Sequence, residues 1–171
     1  MATPRRNLIN ISNTPYYHCI SRCVRRAYLC GQDPLTGRSY EHRRDWVEKK
    51  LLQLGRVFCI DICAYAVMSN HTHLVLHIDI AKAKRLNNKA ILIRWHKLFK
   101  STFLCQRFLN GELLTQVELA SVNTRINIYR ERLSSISWFM RVLNEGIARK
   151  ANQEDDCKGR FWEGRFKSQA L

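Results

Sequence analysis

The chain has 171 residues, 46% of them hydrophobic, and its 29 Lys+Arg against 14 Asp+Glu leave a formal charge of +15 and a pI near 10.0. That length supports one core and is too short for two, and the charge selects a polyanionic partner, nucleic acid well ahead of an anionic membrane surface. No apolar run approaches the roughly 20 residues of a membrane span, and the opening MATPRRNLINIS lacks the apolar centre of a secretory signal, so a cytoplasmic protein with no membrane partner is expected.

Taken in chain order, YYHCISRCV (16–24) is rich in β-formers and predicts a first strand. Alternation puts His18, Ile20 and Arg22 on one face and Tyr17, Cys19, Ser21 and Cys23 on the other. GQDPLTG is turn-rich, and EHRRDWVEKKLLQL then spaces Val47, Leu51 and Leu54 as a helix that Gly55 is expected to stop. Residues 57–68 form a continuous apolar and β-branched run, and Ser69-Asn70 turns it into HTHLVLHI, predicting a hairpin. Basic helical sequence follows, with Ile91, Trp95, Leu98 and Phe99 as a stripe, and residues 101–133 read as mostly helical. From Ser134, the expected N-cap, Ile136, Phe139, Met140, Leu143 and Ile147 trace a helix face to about Asn152. QEDDCKG reads as a polar loop, and GRFWEGRFKS alternates aromatic and basic residues like a strand or hairpin edge.

Strand, helix, strand, strand, helix matches the ferredoxin-like βαββαβ pattern, an α+β sandwich with one antiparallel sheet and, here, additional helices. A single domain over 1–171 is expected: a palm at about 14–100, a helical region at 101–152 and a basic, aromatic C-terminal segment at 153–171. In that fold the first strand and the HTHLVLHI strand are central neighbours, and one sheet face stays open to a ligand.

The seven cysteines include Cys19/Cys23 and Cys59/Cys63, each pair four residues apart. On strands that step separates the members by roughly 13 Å, too far to chelate one ion, so all seven are read as structural thiols. His71, His73 and His77 fall on one face of their strand, opposite Thr72, Leu74, Leu76 and Ile78. The Cα atoms of His71 and His73 should lie about 6.5–7 Å apart, close enough for both rings to reach one divalent ion, provided that further ligands exist. A lone His-x-His is more often a hydrogen-bonded, inert strand pair. His77 lies about 13 Å from His73 and is read as a strand-end surface or packing histidine. His18, one strand over, could approach the histidine pair and support it, but facing the core or solvent is the expected placement.

Three stretches, YYHCISRCVRRAYL, AYAVMSNHTHLVL and GRFWEGRFKS, together resemble the HUH-type single-tyrosine transposases, the insertion-sequence and REP-associated tyrosine transposase family. They look like that family's opening strand and basic turn, its metal-binding strand and its late G-x-x-W-x-x-R-[FY]-K-S signature, in the right order over nearly the whole chain. Thr72 stands where the family's middle residue is usually hydrophobic. The resemblance implies a ferredoxin-like palm, a divalent cation, Mg or Mn, on His71 and His73, and single-stranded or hairpin DNA cleaved and rejoined through a phosphotyrosine. It also implies a nucleophilic tyrosine on a helix beyond the signature. None of Tyr16, Tyr17, Tyr28, Tyr40, Tyr65 and Tyr129 has that position, and only Tyr129 sits on a late helix, without a suitable residue at Leu133 four positions on. An interrupted member, lacking its nucleophile beyond Leu171 and inactive alone, is therefore expected.

For DNA contact the candidates are Arg22, Arg25 and Arg26 after the first strand, and Arg160, Trp162, Arg165 and Lys167 late in the chain, where cations meet phosphates and aromatic faces stack on unpaired bases. Phe161, Trp162 and Phe166 serve equally well as core anchors. Other charge runs, EHRR and KAKR among them, read as solvated helix faces. The alternative from another class is a non-catalytic nucleic-acid-binding module using its open sheet like an RRM. A phosphohydrolase would need a carboxylate cluster, which Asp61, Asp79, Asp155 and Asp156 do not suggest. A homodimer is compatible with the sequence.

Overall fold

The computed structural model describes Ile9, residues 13–24 and residues 27–171. Four strands, β1 (Tyr16–Arg22), β2 (Ile60–Val67), β3 (His71–Ile78) and β4 (Lys167–Ala170), form one antiparallel sheet in the order β2-β3-β1-β4. With helix α1 (His42–Val57) between β1 and β2 and helix α6 (Ile136–Glu154) before β4, this is the ferredoxin-like α+β sandwich. Four further helices, α2 (Ile80–Arg85), α3 (Asn88–His96), α4 (Phe103–Leu109) and α5 (Gln116–Leu133), are inserted between β3 and α6. The sandwich therefore does not end near residue 100, because its second helix and fourth strand come from the far end of the chain.

Alternation in the strands decides which face is buried. Tyr17, Cys19 and Ser21 of β1 and Thr72, Leu74, Leu76 and Ile78 of β3 are almost wholly buried against α1 and α6. His18, Ile20, His71, His73, Val75 and His77 stand half-buried on the other face. Removing a Leu76-sized side chain from water contributes about 2 kcal/mol, and a one-residue slip of β3 would turn all four core residues outward, so this apolar set fixes the register. Residues 68–70 close the β2–β3 hairpin, with Met68 N–H donating to the His71 carbonyl at 2.9 Å.

Several element boundaries differ from the sequence reading. Helix α1 runs through Gly55 to Val57 and closes where Phe58 N–H donates to Leu54 O at 2.8 Å, so Gly55 is a helix residue and not a stop. Val57 is thus helical, and β2 begins only at Ile60. Ser134 ends α5, and Ser135 is the N-cap of α6, its hydroxyl accepting from Trp138 N–H. Helix α5 starts with a reciprocal capping box between Thr115 and Glu118. The EHRR run is not wholly solvated: the Arg43 side chain is fully buried. None of the seven cysteines forms a disulfide; Cys63 and Cys157 are exposed and five are buried, and burial pushes the Cys23 thiol up to about 12. No helix among the described residues is long and apolar enough to cross a membrane.

Candidate nucleic-acid and metal cleft

The site is assembled by strand register. Pairing of β1 with β3 sets Arg22 opposite His71 and Ile20 opposite His73, while pairing of β1 with β4 sets Lys167 opposite Ile20 on its other side. Directly paired residues of an antiparallel ladder share a face, so His73, Ile20 and Lys167 form one row on the open face. The segment before β4 continues the same antiparallel course along the end of β1. Cys23 bridges to Trp162, Val24 N–H donates to Phe161 O, and Glu163 N–H donates to Arg22 O, the last two at 2.9 Å.

Three distant stretches thereby meet in one cleft of about 570 Å³, lined by Ile20 and Arg22 from β1, Asn70, His71 and His73 from the hairpin, and Glu163, Gly164, Arg165 and Lys167 from the C-terminal segment. An adjoining cleft of about 570 Å³ shares Arg22, Asn70 and Glu163 and adds Tyr28 and Arg160. Arg22, Arg160, Arg165 and Lys167 thus line two clefts that share the wall of Arg22, Asn70 and Glu163. Among the described residues that line the two clefts only Glu163 is acidic, and its 4.0 Å pairing with Arg22, both side chains about two-thirds exposed, holds neither firmly. Arg25 and Arg26 lie outside the described residues.

The two imidazoles occupy the same side of the sheet, ring centroids 4.8 Å apart. His71 Nδ1 lies 2.7 Å from Asn70 Oδ1, which can only accept, so Nδ1 carries the proton and Nε2 keeps its lone pair. His73 Nδ1 is 2.9 Å from His18 Nε2, with the rings stacked at 5.1 Å. His18 therefore faces neither core nor bulk solvent; it orients His73. Burial first, and then the neighbouring charges of His71 and His18, lowers the His73 pKa, favouring the neutral imidazole that metal binding needs. Two nitrogen donors are available, but among the described residues no group of three His, Cys, Asp or Glu could hold a metal ion.

The aromatic candidates are placed differently. Trp162 is half-buried, and its indole N–H donates to the Asn144 carbonyl on α6 at 2.7 Å, while Asn144 Nδ2 donates to Ser21 Oγ at 2.8 Å. Phe161 and Phe166 are in the core. These three rings fasten the C-terminal segment to β1 and α6 and so hold Arg165 and Lys167 at the cleft. Tyr129 is 7% exposed and stacked on Trp95 at 4.6 Å within the inserted helices. No described tyrosine lines the cleft of His71 and His73. Tyr28, in the adjoining cleft, spends its hydroxyl on Asp33 Oδ1 at 3.3 Å. Sequence reasoning missed Asn70, and of the two placements it offered for His18 the structure shows the less expected one, against His73; both follow from the strand neighbours of the histidines once the register is known.

No family model matches the chain, and no curated protein matches it. Among solved structures, the chain is similar to the 1.90 Å crystal structure of a Deinococcus radiodurans R1 protein provisionally designated a transposase. The two are 12% identical, the match covers 91% of this chain and 78% of the other, and the TM-score is 0.41. A likeness of that degree carries no argument about activity, and the fold stated above stands on its own strand order.

Proposed function

We propose that this protein is a DNA-handling protein of the HUH single-tyrosine transposase type, acting in the cytoplasm, whose cleft binds single-stranded or hairpin DNA. The observation that carries the reading is the cleft itself: the first-strand arginine, the His-x-His pair and the late Arg165 and Lys167 are far apart in sequence and line one space. Cations on its rim supply phosphate contacts, and seven cysteines that form no disulfide support a reducing compartment. A divalent cation would be held by Nε2 of His71 and of His73, with water and a phosphate oxygen completing its shell, and would act as a Lewis acid on the phosphodiester. Mg or Mn, the ions that the resemblance implies, would fill this role, with oxygen ligands from water and phosphate making up most of the shell. His18 and Asn70 fix the ring orientations that such an ion requires.

A second reading, a binding module without chemistry of its own, is favoured by two observations: among the described residues no group of three His, Cys, Asp or Glu could hold a metal ion, and no described tyrosine lines the cleft. One experiment separates them. Labelled hairpin DNA with a single-stranded flank is titrated with protein in Mn at several salt concentrations, and the products are run on a denaturing gel. Salt-dependent binding is expected, weakened about tenfold or more by the double variant Arg165→Glu/Lys167→Glu, with no covalent adduct. His71→Ala should weaken Mn binding measured by calorimetry. An adduct would place a nucleophile where the cleft shows none, and absence of any DNA binding would remove the proposal.

A further inference from the structure

We infer that the open sheet face carries a stacking site for an unpaired base, built by Tyr16 on His77 at the end of the sheet away from the histidine cleft. Tyr16 is 44% exposed, unusual for an aromatic in a central strand, and its ring lies 4.7 Å from that of His77 at 31°. The two residues are direct partners in the β1–β3 ladder and so share the face of His71 and His73. His77 is held from behind, Nδ1 lying 3.0 Å from Asp61 Oδ2. The Tyr16 backbone is held on both sides, its N–H donating to Thr14 Oγ1 at 3.1 Å and its carbonyl accepting from Leu171 N–H at 3.1 Å. The result is a part-exposed ring, packed on His77 and carried by a tethered backbone, an arrangement suited to stacking on a nucleobase.

The site extends the proposed cleft and rests on that reading. From Arg22 to Tyr16 the strand covers six steps, about 20 Å, enough for several unstacked nucleotides. The row between consists of Ile20 beside Lys167 and His18 beside Gln169, a surface without acidic side chains. The committed occupant is therefore a single strand of nucleic acid, its phosphates anchored by Arg22, Arg165 and Lys167 and its unpaired end stacked on Tyr16. Charge is distributed to match. At the Tyr16 end Asp61 is countered by Lys82 at 3.5 Å, so attraction there comes from the ring and not from net charge. A duplex keeps its bases stacked internally and has none to offer this ring.

These features give a signature that loss of a structural residue would not reproduce. Binding of a thymidine-rich strand of about 12 nucleotides, within the range that sheet-based single-strand sites cover, and of its duplex is measured by anisotropy across a salt series. Tyr16→Ala should weaken single-strand binding roughly tenfold with an unchanged salt slope and leave duplex binding unaltered, and Tyr16→Trp should restore it. The double variant Arg165→Glu/Lys167→Glu should instead flatten the slope. Circular dichroism checks that each variant is folded, and Tyr16→Leu offers a second test that keeps an apolar side chain without a stacking face. Wild-type affinity in Tyr16→Ala and Tyr16→Leu overturns the stacking site while leaving the cleft reading intact. An equal loss for the duplex overturns it as well. Failure of the wild type to bind any single strand removes both.

Discussion

Thr72 shows how a single side chain is committed by its strand. It lies between the two cleft histidines, points to the opposite face, and is 1% exposed with its hydroxyl lacking a hydrogen-bond partner among the described residues. A buried, unsatisfied hydroxyl costs on the order of 1 kcal/mol or more, and valine has nearly its shape. Thr72→Val should raise the unfolding free energy by about 1 kcal/mol in urea titrations and leave Mn and DNA binding unchanged. The same alternation made the histidine face readable from sequence, because period two is a local property of β3. What His71 and His73 bond to was not local. His18 reaches His73 only through the β1–β3 register, and no spacing within either strand encodes that pairing.

Among the elements, α1 is the clearest case of a local signal overridden by packing. Glycine near the end of an apolar stripe ordinarily marks a helix stop, yet α1 continues for two residues beyond Gly55 because Val57 finishes the buried face begun at Val47. A Cβ built at Gly55 would meet Ile62 Cδ1 at 3.4 Å, ordinary contact distance. Gly55→Ala should therefore stabilise the protein by about 0.5–1 kcal/mol through helix propensity, seen as a higher midpoint in thermal unfolding. A lower midpoint would mean that α1 and β2 cannot yield at this contact. The helix of residues 136–154, by contrast, was legible almost to its ends, since its stripe of Ile136, Phe139, Met140, Leu143 and Ile147 is both periodic and wholly buried.

At the scale of the molecule, the two helices of the sandwich are joined by a buried cation. Arg43 of α1 donates from Nε to Glu154 at 2.8 Å, pairs with Asp155, and donates from Nη1 to the Tyr28 carbonyl at 2.8 Å. In sequence these acids belong to what reads as a polar loop, and Arg43 to a charged helix face, so neither signal points to the other. Partial burial would raise the Glu154 carboxyl, but the hydrogen bond and charge of Arg43, helped by His42, hold it below its ordinary value near 4.5. The sign follows. A depressed carboxylate stabilises the fold above its unfolded value and loses that contribution as pH falls through the folded one. Arg43→Ala should cost about 3 kcal/mol at neutral pH, and the difference from wild type should narrow below about pH 4.5 in denaturant titrations. A gap that stays constant with pH would assign the loss to packing alone.

The run from Phe161 to Ala170 lies along β1, which entered the chain some seven-eighths of its length earlier, and Trp162 and Asn144 tie that run down. Closing so long a loop is entropically slow, so this ladder is among the last to form. The hairpin with its histidines can exist beforehand, but Arg165 and Lys167 reach it only when the final strand docks. The wall that carries Arg165 and Lys167 therefore exists only in the completed fold, so a chain stopped short of its last strand would present the two imidazoles without it.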